Sequence, residues 1–135
     1  MSRYLLDTGI AQDLIYDRGG VRERTALERR RGHRIGICMP VLGELWSGAE
    51  GSHAREENVA KLLRALTQLS IWPYDKAAAE RFGQLFTHLR RAGRAMQQID
   101  IQIAAIALSL GNTVVVSSDS DLAAVPGLVV ENWAA

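Results

Sequence analysis

The chain has little of several things that would have placed it quickly. It has one cysteine, so no internal disulfide can form, and the small secreted scaffold held by disulfides is excluded. That usage suits a reducing cytoplasm, which is the expected compartment. The longest unbroken apolar run, residues 103–108, is far too short to span a bilayer. Asp7 and Asp13 interrupt the N-terminal segment where a signal peptide needs an apolar centre, so no membrane partner is expected. The three histidines, at 33, 53 and 88, form no His-x-x-x-His pair, which leaves a zinc hydrolase unsupported. There is no Gly-x-Ser-x-Gly elbow and no glycine-rich phosphate loop with a following lysine. Low-complexity tracts and repeats are absent too, and the glycine-bearing stretches at 19–20 and 48–53 read as loops. With 47% hydrophobic residues in 135, the composition fits one globular domain spanning 1–135.

Charge of either sign is also scarce in the sum, at +1, but not in its distribution. All 16 basic residues lie at or before Arg94, where they face eleven acids for a net of +5; beyond it stand four acids and no base, a net of −4. Seven arginines fall between Arg18 and Arg34, and three more at Arg90, Arg91 and Arg94. Fourteen of the 16 are Arg, a bias that favours forked contacts to phosphate or carboxylate. A basic front half suits a polyanion, and an acidic rear suits a cation.

Periodicity and caps predict alternating strands and helices. Residues 3–7 form a short buried strand ending in Asp7, and Thr8 caps a helix to about residue 16. An arginine-rich helix covers 21–31, a strand 34–39, and a helix 41–49 that Pro40 opens. Helices over 53–69 and 75–92 flank a brief extended piece at 71–74. Residues 99–110 are apolar nearly all round and predict a buried central helix with Asp100 at its start. The β-branched run at 113–116 predicts a core strand, followed by a short helix at 121–124 and a closing strand at 128–130. This order implies an α/β sandwich with a mostly parallel sheet.

Ligand crevices of open α/β sheets lie beyond the carboxyl ends of the strands. Asp7, Asp119 and Asp121 follow strands, and Glu44 and Asp100 open helices, so five carboxylates converge on that edge. Such a cluster raises its own pKa values by mutual repulsion, which a hard divalent cation with oxygen ligands relieves. Each acid also has an ordinary reading. Asp7 can cap a helix, Asp100 can favour a helix start, and Asp119 and Asp121 can form turns. Glu44, in the apolar stretch Val41-Leu-Gly-Glu-Leu-Trp46, is hardest to explain that way, because an unpaired charge there is costly. Cys38, in a core strand, reads as a small buried hydrophobe. Trp46 and Trp72 read as core or interface residues more readily than as base-stacking platforms.

The segments Tyr4-Leu-Leu-Asp-Thr8, Val41-Leu-Gly-Glu-Leu45, Asp100-Ile-Gln-Ile-Ala-Ala, Val116-Ser-Ser-Asp-Ser-Asp-Leu122 and the Val-Pro-Gly-Leu ending together resemble a PIN-domain ribonuclease of the VapC toxin type, along essentially the whole chain. The resemblance implies a PIN-like three-layer sandwich and a Mg²⁺- or Mn²⁺-dependent endoribonuclease. Asp7, Glu44, Asp100 and Asp119 fall on the family's acidic quartet, as candidate metal-holding and catalytic residues, and Asp121 lies near enough to share the fourth role. It further implies neutralisation by a cognate VapB-type antitoxin within a type II toxin-antitoxin system, and a homodimeric toxin. Gly9 stands where the family commonly has Asn, which would loosen the turn after Asp7. Ser117 and Ser118 replace a common Thr and Asn, which puts hydrogen bonding around Asp119 in question.

An acidic nuclease site needs attraction for RNA from elsewhere, and Arg18, Arg30, Arg90 and Arg94 are the candidate phosphate contacts. The competing readings are a phosphoacceptor domain, which would need a late lysine that this chain lacks, and a PIN-like module that binds RNA or protein without cutting. The sequence leaves the RNA, the bond cut and the number of metals open.

Overall fold

The computed structural model describes residues 1–134. Within them the chain runs β1 (Arg3–Leu6), α1 (Thr8–Ile15), α2 (Val21–Arg30), β2 (Arg34–Cys38), α3 (Met39–Glu50), α4 (Arg55–Leu66), β3 (Ser70–Trp72), α5 (Lys76–Arg91), α6 (Gln98–Leu110), β4 (Thr113–Val116), α7 (Ser120–Ala123) and β5 (Val129–Glu131). The strands form one five-stranded sheet of order β3-β2-β1-β4-β5, and all four pairings are parallel. The α/β sandwich expected from the sequence is therefore the fold, with the sheet wholly parallel.

The strand order explains where a site can form. From β1 the chain moves outward through β2 to β3, then returns to place β4 on the other side of β1. That reversal opens a crevice at the carboxyl ends of β1 and β4, because the connections after these two strands leave in opposite directions. The two strands are in register from Arg3 opposite Thr113 to Leu6 opposite Val116. Both are apolar enough to be buried, as parallel strands covered by helices must be: Leu5, Leu6, Val115 and Val116 are fully enclosed. Helix α6 covers the same region with Ile101 and the run 103–107, all buried, and it packs on both β4 and α5. Its length and its stop at Gly111, with φ of +68°, match the predicted central helix.

Local differences from the sequence reading have clear causes. Asp7, not Thr8, caps α1: its extended backbone brings the carboxylate to the Ile10 N–H at 2.8 Å. Helix α3 starts two residues earlier than predicted, because Met39 and Pro40 both fit the first turn, where no amide hydrogen is needed. The last strand is shifted by one, to Val129–Glu131. Gly36 is required where β2 meets β3, since a Cβ there would strike the Ser70 carbonyl and lie 2.8 Å from the Trp72 ring. Trp72 is thus core, Trp46 packs half-buried against it, and Cys38 is enclosed with its thiol pushed up to about 11 by burial. Among the described residues no helix is long and apolar enough to cross a membrane.

Candidate active site

Five carboxylates meet at the crevice. A pocket of about 250 Å³ is lined by Asp7, Glu44, Asp100, Asp119 and Asp121, with Thr8 beside them. All five acids singled out in the sequence are brought together. Asp7 leaves the end of β1 with its N–H donating to the Val116 carbonyl at 3.0 Å, so β4 fixes its backbone. Asp119 leaves the end of β4 and caps α7, accepting from the Asp121 N–H at 2.8 Å. Asp100 sits in the first turn of α6, and Glu44 in α3. The ordinary capping roles of Asp7 and Asp119 are therefore real and coexist with their place in the pocket.

Neither departure from the family pattern loosens the site. Despite Gly9, the turn after Asp7 is closed by its cap on Ile10. The buried Ser117 hydroxyl accepts from the Asp119 N–H at 2.9 Å and favours the charged form of Asp7. Ser117 and Thr8 are thus supporting residues of the site, a role the sequence did not assign to them. Thr8, expected as a helix cap, instead donates its hydroxyl to Glu44 Oε1 at 2.8 Å. Their signal was position alone, a small hydroxyl beside an acid at a strand end.

The electrostatics mark two of the acids. Burial raises the Asp7 carboxyl above its ordinary value, with the charges of Asp119 and Asp13 adding, against the hydrogen bonds from Ser117 and Ile10. Asp100 is pushed up to about 6, first by burial, then by the negative charges of Asp119, Asp7 and Asp121, and by a hydrogen bond with Asp119. The reading of Glu44 is corrected: it is exposed at the pocket, not buried among apolar neighbours. The helix turns its apolar residues Val41 and Leu45 inward and leaves Glu44 outside.

A donor set made only of oxygens, with repelling charges and raised proton affinity, fits a hard divalent cation. Among the described residues no three acidic, imidazole or thiolate groups stand close enough together to hold a metal ion as they are placed.

Of the four candidate phosphate contacts, the structure brings Arg94 to the pocket, where Nη2 lies 3.0 Å from Asp121 Oδ1. Arg90, near the end of α5, lies over the Phe86 ring at 5.9 Å. Arg18 follows α1 and pairs with Asp13 at 3.2 Å. Arg30 ends α2 beside the amino end of β2, the edge of the sheet away from the acids. A separate groove of about 520 Å³ between α1, α2 and α4 has Leu14, Ile15 and Ala65 in its walls and Arg22, Lys61 and Arg64 along them. The Thr25 hydroxyl in that groove is buried and has no hydrogen-bond partner among the described residues.

Comparison with known proteins gives the family and the fold. The profile described as PIN domain matches residues 4–128. The chain is 34% identical over 134 residues to the tRNA(fMet)-specific endonuclease VapC of Shigella flexneri, covering 98% of this chain and 99% of that protein. It is 32% identical over 138 residues to ribonuclease VapC2 of Haemophilus influenzae, with 98% and 99% covered. Among solved structures, VapBC2 from Rickettsia felis, bound to a DNA fragment from its promoter, superposes with a TM-score of 0.90 at 28% identity, covering 97% of this chain and 98% of that one. DNA-bound VapBC from Salmonella typhimurium gives 0.89 at 33% identity, covering 98% and 99%.

Proposed function

The chain belongs to the PIN-domain family, with relatives among the VapC ribonucleases, and from that premise we propose that it is the toxin of a type II toxin-antitoxin pair, a divalent-metal-dependent endoribonuclease held in check by a cognate VapB-type antitoxin. The convergence of five carboxylates at the reversal between β1 and β4, with Asp7 and Asp100 raised, carries the reading.

Asp7, Asp100, Glu44 and Asp119 would hold Mg²⁺ or Mn²⁺, which when bound supplies an activated water and stabilises charge on the phosphate oxygens. The chain's own residues do the rest. Val116 and Ile10 fix Asp7 through its amide and carboxylate, and Thr8 orients Glu44. The mutual repulsion that, after burial, raises the Asp7 and Asp100 carboxyls would be offset by a bound cation, which favours their charged forms. Asp7 and Asp100 would be the direct ligands, and Glu44 and Asp119 would act through waters or activate the attacking one. The transfer RNA named for the Shigella relative is the substrate class to try first. The groove between α1, α2 and α4, apolar within and basic at its edge, suits an antitoxin segment with apolar and acidic side chains. A homodimer in the cytoplasm completes the proposal.

The test is purified protein incubated with a tRNA(fMet) transcript. Cleavage is expected with Mn²⁺ or Mg²⁺ and none in EDTA. Equal cleavage in EDTA would overturn the metal mechanism, and RNA binding without cleavage in either metal would identify a non-cutting module.

A further inference from the structure

The acidic pocket has a difficulty with its own substrate: five carboxylates face a polyanion, and among the described residues no base lines the pocket itself. We propose that Arg94 is the phosphate anchor of this site and that Asp121 is its positioning residue rather than a metal-holding acid. This rests on the ribonuclease reading and deepens it.

Three observations carry the assignment. Arg94 is held on both sides. Gly93, at φ of +73°, turns the chain at the end of α5 so that the Arg94 N–H donates to the Leu89 carbonyl at 2.9 Å. At the other end of the side chain, Asp121 accepts from Nη2 at 3.0 Å, and Asp121 is itself set by the Asp119 cap on its N–H. The guanidinium also has capacity to spare. That bond engages one of its five N–H donors, and 42% of the side chain is exposed, leaving a fork for two phosphate oxygens. Finally, Arg94 is the base the structure pairs with an acid of this pocket, and several other arginines are engaged elsewhere. Arg24 and Arg31 hold Glu28, Arg18 holds Asp13, and Arg22 donates to the carbonyls of Leu14 and Ile15. An exposed ion pair adds little to stability, so Arg94 and Asp121 are poorly explained as a structural brace. Asp121 differs from Asp119 in the same respect: its carboxylate is 43% exposed and turned to a cation within the chain.

The experiment measures binding of a fluorescein-labelled tRNA(fMet) transcript in EDTA by anisotropy across a KCl series, then steady-state cleavage with Mn²⁺. Arg94→Ala is expected to weaken binding about five-fold and to lower the slope of log K against log salt by about 0.7, as for one lost phosphate contact. KM rises, kcat stays within about two-fold, and Arg94→Lys recovers much of the loss because charge remains while the fork is lost. Asp121→Asn moves KM in the same direction by less, with the Mn²⁺ concentration for half-activity unchanged. Wild-type affinity and salt slope in Arg94→Ala would overturn the proposal. So would an Asp121→Asn protein with a raised Mn²⁺ requirement and a collapsed kcat, which is the signature of a metal-holding acid. Failure of the wild-type protein to cleave in Mn²⁺ would sink the ribonuclease reading, while the EDTA arm would still decide whether Arg94 holds RNA.

Discussion

Glu28 and Asp100 are both carboxylates drawn out of water, and the fold treats them oppositely. Glu28, on α2, is 2% exposed and sits among cations: Arg24 Nε at 2.7 Å, Arg31 Nη1 at 3.3 Å, and the His33 ring at 3.9 Å. Burial alone would raise its carboxyl, but the hydrogen bond from Arg24 and the charges of Arg24, Arg31 and His33 outweigh it and hold it below its ordinary value. Arg24 continues to Glu131 at 3.4 Å and lies over the Trp133 ring at 5.0 Å, tying α2 to the last strand. Asp100 has less burial and no such partner, only other acids, so its carboxyl rises. Burial of a charge therefore does not mark a functional site. Burial with neighbours of the same sign does, because such an arrangement costs stability unless something from outside completes it.

The contrast can be broken first at its stable end. Glu28→Gln leaves two guanidinium groups beside a neutral amide, and should destabilise the fold by about 3–5 kcal/mol in urea titrations, with RNA cleavage per folded molecule unchanged. A loss below about 1 kcal/mol would mean that the cluster is only solvated surface charge. At the other end, Asp100→Asn should reduce cleavage by on the order of a hundredfold or more while the metal-free protein melts no lower than wild type. Loss of both activity and melting temperature would move Asp100 into the structural class of Glu28.

Acidity sharpens the comparison by a smaller effect. Asp100 binds its proton more tightly folded than unfolded, so across the window from 3.8 to about 6 the native state carries more protons. Stability of the metal-free protein therefore has a contribution from Asp100 that is present at the acid end and is lost as pH rises through about 6. Glu28 has the reverse sign: its contribution is present above its ordinary 4.5 and is lost as pH falls through its lowered value. Comparing Asp100→Asn with wild type from pH 4 to 7 should show the wild type losing ground as pH rises. A flat difference would remove the repulsion from the argument. Cleavage should fall below about pH 6, as protons compete with the cation for Asp100.

Much of this could be read from residue order. Leu5, Leu6 and the Val114–Val116 run announce buried parallel strands because nothing polar interrupts them, and Asp7 and Asp119 stand out as the first charges after each. The parts that stayed hidden depend on distance in three dimensions. Glu44 reads as buried from its apolar neighbours, yet this helix buries only every fourth residue, Val41, Leu45 and Ala49, and Glu44 falls between them on the exposed side. Glu28 looks like a counter-charge on a basic helix, since nothing local shows that its partner Arg24 is also held by Glu131 and Trp133 from the far end of the chain. Arg94 and Asp121 are 27 positions apart and meet only once α6 and β4 are in place. The charge split along the sequence was real, but most of the arginines behind it serve neighbours within the fold and not the pocket.

The amide of Asp7 donating to Val116 has a consequence for how the protein is made. The first acid of the pocket is translated almost at once, but Asp100, the strand that seats Asp7 and the Asp119 turn all come in the last third of the chain. Until β4 has left the ribosome and inserted beside β1, the acids are scattered along an unfinished polymer and no pocket exists. The carboxylate pocket therefore depends on long-range strand pairing that only the last third of the chain can supply.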